Sequence, residues 1–573
     1  MSKEDLILIH APSVYDFRRE AIFYGPVSDL VPSTPIFEMY PLGFTTMATQ
    51  LHKDGFRVRI VNLASMMLNH KNLDVEALLR RLDASVFGID LHWLPHAQGS
   101  LEVARLLKSM HPDSKVLMGG LSASYFHEEL ITYPQVDLVL RGDSTEVPLS
   151  KLMSVLEARG DLGQVPNLIW KDRGTRTVNS LTFIPEDLDY LDIDYGWMIR
   201  SVIKHRDLEG FKPFKDWDRY PLTAVFSVRG CTMNCVVCGG SCSALHGFIF
   251  RERPAFRSPE RLAEDIRNIQ SYLDAPTFVV GDVRQGGKDY AERFFREARR
   301  LRIKNHVILE IFTPAEEEFY RLASRSLERF SVQVAPYTHE ESVRRALGRP
   351  FATESMQRTV RHALDNGCQR FDMFFMVGLP KQTGESALAS SDYTRSLCSS
   401  VDNDPRLSTY ISPLAPFIDP GSKVFENPGE FGYRLFARTL EEHRIRLLNP
   451  SWKYVLSYET AWMTRDEIVD VSYEAADCLN RVKFETGLID EADFKSRRER
   501  TEKARIIMRK IDEIVSMPDI KEREKALTDL KEKTDSIMES TICEKRDLEW
   551  DTPGVLSSVP RAMAGLMIRR GKR

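Results

Sequence analysis

Two stretches of the chain, Leu6 to Asp143 and Thr223 to Pro416, are written in the same way: short apolar runs alternate with amphipathic helical segments. In the first, LILIHAP, RVRIVNLA, SVFGIDLHW, KVLMGG and VDLVLRGD are separated by segments such as the helix opened by Pro41-Leu42-Gly43, LDVEALLRRL and SLEVARLLKSM. Strands that apolar are buried on both faces, and helical crossovers between them make neighbours parallel, so the fold class is α/β. An open, doubly wound, Rossmann-like sheet is expected, with its ligand at the carboxyl ends of the strands. Those ends carry Asp90, His92, Gly119, Gly120, Ser122 and Gly142.

The second stretch contains TAVFSVRG, TFVVGD, HVILEIF, RFSVQVAP, RFDMFFMVGLP and LSTYISPLAP, with helical patterns between them. Six such units predict a partial (β/α)6 barrel of the triosephosphate-isomerase type, open on one side. The expected organisation is a Rossmann-like domain over 1–160, a linker over 161–215, the barrel over 216–435 and a helical C-terminal region over 436–573. The helical region is dense in alternating charge, as in DIKEREKALTDLKEKTDSIMES. Such a run reads as a solvated helix face, the alternative being a cap over the barrel mouth. The tail RAMAGLMIRRGKR reads as a frayed terminus, with membrane-surface contact as its alternative.

A net charge of −4 gives no reason to favour nucleic acid. No apolar stretch is long enough for a transmembrane segment. MSKEDLILIHAP lacks the apolar core and cleavage site of a signal peptide, so a cytoplasmic location is expected. In that reducing compartment the eight cysteines are not structural disulfides. Cys368, Cys398, Cys478 and Cys543 stand alone and read as inert thiols.

The other four cysteines fall within RGCTMNCVVCGGSC, directly after a strand. Cys231, Cys235 and Cys238 on one tight loop can each bind an iron of a [4Fe–4S] cubane, leaving the fourth iron bare. A bare iron can chelate the amino and carboxylate groups of S-adenosylmethionine (SAM), and an electron then releases a 5′-deoxyadenosyl radical. Zinc is the competitor, but its sites pair C-x2-C units or add histidines. Here there is no second C-x2-C, and His246 lies eight residues past Cys238. Cys242 either takes the fourth iron, which would block SAM, or stands beside the cluster as a non-ligand.

The loop and its strand context resemble the radical SAM superfamily. Carried over residue by residue, the resemblance implies that Gly281 and Asp282 receive the SAM amino group, that Gln333 contacts ribose, and that the adenine edge lies near Gly378. Phe375-Met376-Val377-Gly378-Leu379-Pro380, followed by Gln382-Thr383, and Arg257-Ser258-Pro259-Glu260 are features of members with a cobalamin domain. Val237 departs from the pattern, since an aromatic residue commonly precedes the last cluster cysteine.

The first stretch is similar to that cobalamin-binding domain in its P-L-G helix start, its G-G after the fourth strand and its R-G-D after the fifth. This implies cobalamin contacts from His92, Gly119, Gly120, Ser122 and Gly142. The D-x-H-x-x-G that supplies a cobalt ligand elsewhere is absent after the first strand, where His10-Ala11-Pro12-Ser13 stands. No protein imidazole is therefore expected below the cobalt. Asp90-Leu91-His92 repeats D-x-H after the third strand, where His92 also reads as an ordinary loop histidine, and a domain that has kept its fold and lost the vitamin stays open.

The implied protein is a radical SAM enzyme with a [4Fe–4S] cluster, SAM and cobalamin, methylating an unactivated carbon. One alternative is radical carbon–carbon bond formation or cyclisation on an isoprenoid lipid; another, of a different class, is a non-catalytic metal-binding scaffold. The expected partners are a small-molecule, lipid or peptide substrate and an external one-electron donor of the ferredoxin or flavodoxin type. Substrate identity is left open, because barrel pockets are built from variable loops.

Overall fold

The computed structural model describes residues 3–23, 41–172, 174–534, 547, 549–550, 552–555, 557–560 and 562. The first sheet contains β1 (Glu4–His10), β2 (Val58–Asn62), β3 (Ala84–Asp90), β4 (Lys115–Gly119), β5 (Leu138–Leu140), β6 (Leu168–Asp172) and β7 (Thr175–Val178). Their order is β2-β1-β3-β4-β5-β6-β7, parallel through β5 and antiparallel at the last two. Side chains alternate across a strand, so β1 sends Leu6 and Leu8 into the core on one face and Ile7 and Ile9 into the core on the other. Helices α1 (Gly43–Lys53) and α2 (Glu146–Glu157) cover the Leu6 face with Phe44, Leu51, Leu149 and Leu152. Helix α3 (Tyr195–His205) adds Trp197 to that same face.

The segment expected to be only a linker, 161–215, therefore builds structure: β6, β7 and α3 belong to the first sheet and its cover. Its signal was weak for a physical reason. β7 is an edge strand reading TRTV and is largely exposed, so it carries no apolar alternation.

The second sheet follows the expected strands closely: β8 (Thr223–Phe226), β9 (Thr277–Val280), β10 (Val307–Ile311), β11 (Phe330–Tyr337), β12 (Phe371–Val377) and β13 (Leu407–Pro413). All are parallel, in the order β13-β12-β11-β10-β9-β8, with no pairing between β8 and β13 among the described residues, which makes the barrel partial. Helix α4 (Arg465–Glu485) packs against β13, burying Ile468, Val469, Tyr473 and Leu479. Beyond it, Glu491–Val515 buries little more than Ala504, Ile507, Met508 and Ile511, and Ile520–Thr534 is mostly exposed. The charged run thus forms solvated helix faces. The expectations for Cys543 and for the tail from 563 onward lie outside the described residues.

Candidate functional site

β8 delivers the chain into the cysteine loop at one end of the barrel. Cys235 is buried and Cys231 and Cys238 are half-buried, and all three line one cavity of about 240 Å3. Every sulfur has a donor aimed at it. The Met233 N–H reaches Cys231 Sγ at 3.3 Å, Arg349 Nε reaches Cys235 Sγ at 3.2 Å, and the Gly240 N–H reaches Cys238 Sγ at 3.3 Å. Arg349 is itself buried; its guanidinium also donates to the Phe312 and Ala335 carbonyls and lies 4.9 Å from the centroid of the Tyr337 ring.

Burial, helped by the carboxyl of Asp419, pushes the Cys238 thiol up to about 12, and burial raises Cys231 as well. Without a cation these sulfurs hold their protons, whereas bound iron would strip them outright. Three sulfurs with one donor each fit the thiolates of a cubane whose fourth iron is bare. Cys242 opens the helix Cys242–Ile249, capped by the Ser241 hydroxyl, and is absent from the cavity wall.

The residues expected to hold SAM separate into two groups. Gln333 lines the cysteine cavity, its amide nitrogen donating to Asp372 Oδ2 at 3.2 Å. Gly281 adjoins it through its N–H, which donates to Glu310 Oε2 at 2.8 Å. Its φ of +89° suits glycine, and an added Cβ would lie 2.5 Å from Val228 Cγ1.

Asp282 and Gly378 do not reach that wall. Both Asp282 oxygens are engaged, one by Arg284 Nε and the other by Arg284 Nη2 and the Phe312 N–H. The Gly378 N–H donates to Gln382, and its carbonyl accepts from Tyr433 Oη. Glu310 lines the cavity instead, and burial raises its carboxyl to about 6. The sequence did carry a signal for it: a lone acid inside the apolar strand VILEI.

At the carboxyl ends of the first sheet a second cavity, of about 370 Å3, is lined by His92, Gly119, Gly120 and Gly142. Ser122 is buried beside it but does not form its wall. Gly120, at φ +114°, lets β4 pass under the loop after β3, since an added Cβ would lie 2.6 Å from His92 Cα. The Leu91 N–H donates to the Gly119 carbonyl, fastening the loop there. Room of this kind beside backbone-only residues fits a bulky planar group.

Asp90 joins two histidines, at 3.0 Å from His10 Nδ1 and 2.6 Å from His92 Nδ1. Burial opposes its ionisation, but the charge of His10 and the two hydrogen bonds hold its carboxyl well below the usual carboxylate range. The His96 ring lies 4.8 Å from His10 and 5.0 Å from His92. His10 and His96 were not foreseen, because His10 ends β1 while His96 lies in the short helical turn after β3, and only the fold gathers them.

A third cavity, of about 730 Å3 and mostly apolar, shares His92 and Pro41 with the second and reaches Ala224, Phe278 and Val280 on the first two barrel strands. Val280 directly precedes Gly281, whose N–H donates to Glu310 in the wall of the cysteine cavity. Asp419 spans the two sites: Trp93 Nε1, beside His92, donates to one oxygen at 3.2 Å, and the Gly239 N–H, in the cysteine loop, donates to the other at 3.0 Å.

The profile of the B12 binding domain matches residues 31–149, and that of the radical SAM superfamily matches residues 225–392. Hopanoid C-3 methylase of Methylococcus capsulatus (strain ATCC 33009 / NCIMB 11132 / Bath) is 27% identical over 289 residues, 49% of this chain and 50% of that protein. The match thus spans half the length of that relative. Cytidylyl-2-hydroxyethylphosphonate methyltransferase of Streptomyces wedmorensis is 21% identical over 427 residues, 65% of this chain and 77% of the relative.

Among solved structures, the radical S-adenosylmethionine methyltransferase TsrM from Kitasatospora setae, with cobalamin and a [4Fe-4S] cluster bound, superposes with a TM-score of 0.58 at 14% identity, covering 93% of this chain and 100% of its own. The cobalamin-dependent S-adenosylmethionine radical enzyme OxsB gives 0.54 at 12% identity, covering 100% and 81%. These two likenesses concern the fold. No helix among the described residues is long and apolar enough to cross a membrane. The chain carries a B12-binding domain followed by a radical SAM superfamily domain.

Proposed function

We propose that this chain is an enzyme that cleaves SAM reductively and, with cobalamin, methylates an unactivated carbon. The observation that carries the reading is that the cavity at the strand ends of the B12-binding domain, lined by Asp90, His92 and Gly119, is lined also by Gly230 and Gly240 of the cysteine loop, with Asp419 hydrogen-bonded to both sides. When bound, the cluster would supply the electron that splits SAM, and the cobalamin would carry the methyl group.

The chain's own residues have the remaining tasks. Cys231, Cys235 and Cys238 would hold the cluster, with Arg349 offsetting charge on the Cys235 sulfur. Glu310 would receive the SAM ammonium, with Gln333 close by on the same wall. Asp90 fixes the His92 ring through Nδ1, setting how the imidazole faces the corrin side. The apolar wall excludes water from the reacting carbon. Two relatives support the reading by name, one a methylase and the other a methyltransferase. The partner would be a ferredoxin- or flavodoxin-type electron donor, and the cytoplasm would keep the thiols reduced.

The test is anaerobic reconstitution with iron, sulfide and hydroxocobalamin, followed by SAM, reductant and a lipid extract. Methylation predicts both 5′-deoxyadenosine and S-adenosylhomocysteine. Radical cyclisation would give the first without the second, and a zinc scaffold would give neither.

A further inference from the structure

Resting on the reading above, we infer that the 730 Å3 cavity binds the hydrocarbon skeleton of an uncharged lipid, long or fused-ring, as the substrate. Its size falls within the range of about 300–1,000 Å3 for sites that enclose a whole small molecule. One end, at Ser13, Pro41 and His92, belongs with the cobalamin side. The rest lies between α3, the segment 208–217, the open edge of the barrel at β8 and the described residues 555–562.

That remaining wall is apolar, with Met198, Phe211, Phe214, Trp217, Leu273 and Phe278 in it. Several polar groups in it are already satisfied. Among the described residues of the wall Lys212 is the one Lys or Arg, and its ammonium is held by Glu209 at 2.5 Å and Asp218 at 2.9 Å. The Thr223 hydroxyl donates to the Pro276 carbonyl, and Ser558 Oγ accepts from the Asp274 N–H. A phosphate, carboxylate or peptide placed there would give up its hydration without a matching partner, a heavy penalty in an apolar site. A hydrocarbon gains from the same burial.

The rim points the same way. Ile203, Leu208 and Val559 all border this cavity, and all three are exposed, Ile203 by 61%. Isolated exposed apolar residues are ordinary, but three at the mouth of one apolar cavity form an entry suited to an apolar ligand. The barrel face of the cavity ends at Val280, next to the residue that contacts Glu310. A lipid lying along it would extend from the corrin side toward the SAM side, as one molecule meeting both cofactors must.

The experiment uses the full chain, purified and reconstituted without oxygen, with tritiated squalene in mixed micelles as the probe. Binding is read as label retained through gel filtration and as quenching of tryptophan emission, since Trp93 and Trp217 line the cavity. Saturable binding is expected. Met198→Asp places a carboxylate in the wall and should raise the Kd roughly tenfold or more. Ala224→Phe, which fills space without adding polarity, should also weaken it and guards against a misfolded first variant.

No retention of squalene by the wild type, or equal retention by wild type and both variants, would overturn the inference. SAM cleavage by the same preparation is scored separately. Its failure with squalene binding intact would remove the radical reading and leave the apolar site standing.

Discussion

Arg229 and Glu146 form a buried, two-pronged ion pair across the two domains, with Nη1 2.9 Å from Oε2 and Nη2 2.6 Å from Oε1. Glu146 opens α2 on the first sheet, and Arg229 follows β8 just ahead of the cysteine loop. Thr46 Oγ1 also donates to Glu146, at 2.6 Å. Burial works against the Glu146 carboxylate, but the Arg229 charge and its hydrogen bonds hold the carboxyl below its ordinary value. Truncating one partner leaves a buried charge alone, so Glu146→Ala should cost about 3–5 kcal/mol, while replacing both by Leu and Met should cost far less. Denaturant titration of the single and double variants checks this.

The same pair sets a pH dependence. A carboxyl whose folded value is depressed adds stability that is complete above its unfolded value, here near 4.5, and is lost as pH falls through the folded value. The wild-type unfolding midpoint should therefore drop in that acidic window. The drop should be smaller in Glu146→Gln, which does not titrate. Equal acid sensitivity in the two proteins would show that the pair contributes nothing to it.

The donors on the sulfurs predict a graded response. Cys235→Ala should abolish iron retention and 5′-deoxyadenosine formation. Cys242→Ala should keep both, since Cys242 is outside the cavity wall. Arg349→Gln removes the charged donor at 3.2 Å from Cys235, so the cluster should assemble with a lower reduction potential and turn over more slowly. Iron content, product yield and a redox titration followed by electron paramagnetic resonance distinguish the three.

What could be read from the sequence follows from how local its cause is. The eleven parallel strands announced themselves because burial on both faces demands a largely apolar run, as in LVL of β5 or FDMFFMV of β12, where Asp372 is the one polar residue. The cysteine loop was legible because Cys231, Cys235 and Cys238 lie within eight residues of one another. β6 and β7 were not, because an antiparallel edge half open to solvent needs no apolar period.

Arg349 and Asp419 had no local signature at all. They meet the loop only through pairings 114 and 180 residues apart in sequence. The resemblance assigns Asp282, after β9, to the SAM amino group, yet Arg284, two residues on, donates to both of its oxygens. A neighbour's reach is not written in strand periodicity.

Glu310 and Asp282 can be told apart directly. Glu310→Gln should weaken SAM binding at least severalfold, since Glu310 is the one carboxylate among the described residues in the wall of the cysteine cavity. Asp282→Asn should act on stability instead, because Asp282 anchors Arg284 and the Phe312 N–H. Calorimetric SAM affinity set beside thermal unfolding separates the two roles, and the reverse pattern would return the ammonium site to Asp282.

Gly119 offers the sharpest test of the cavity at the end of the first sheet. It lines that cavity, its φ is not in the left-handed region, and an added Cβ would meet only the Leu140 carbonyl, at 3.4 Å. A side chain there is compatible with the backbone and would project into open space, unlike one at Gly120, where the backbone of His92 stands in the way. Gly119→Leu should therefore leave the unfolding midpoint near that of the wild type while filling the cavity. Retention of hydroxocobalamin through gel filtration should be lost, with iron content unchanged because Cys231, Cys235 and Cys238 do not line this cavity. Gly119→Ala, which takes far less of the space, should retain more vitamin than the leucine variant. Full retention by Gly119→Leu would mean that the vitamin does not occupy this cavity.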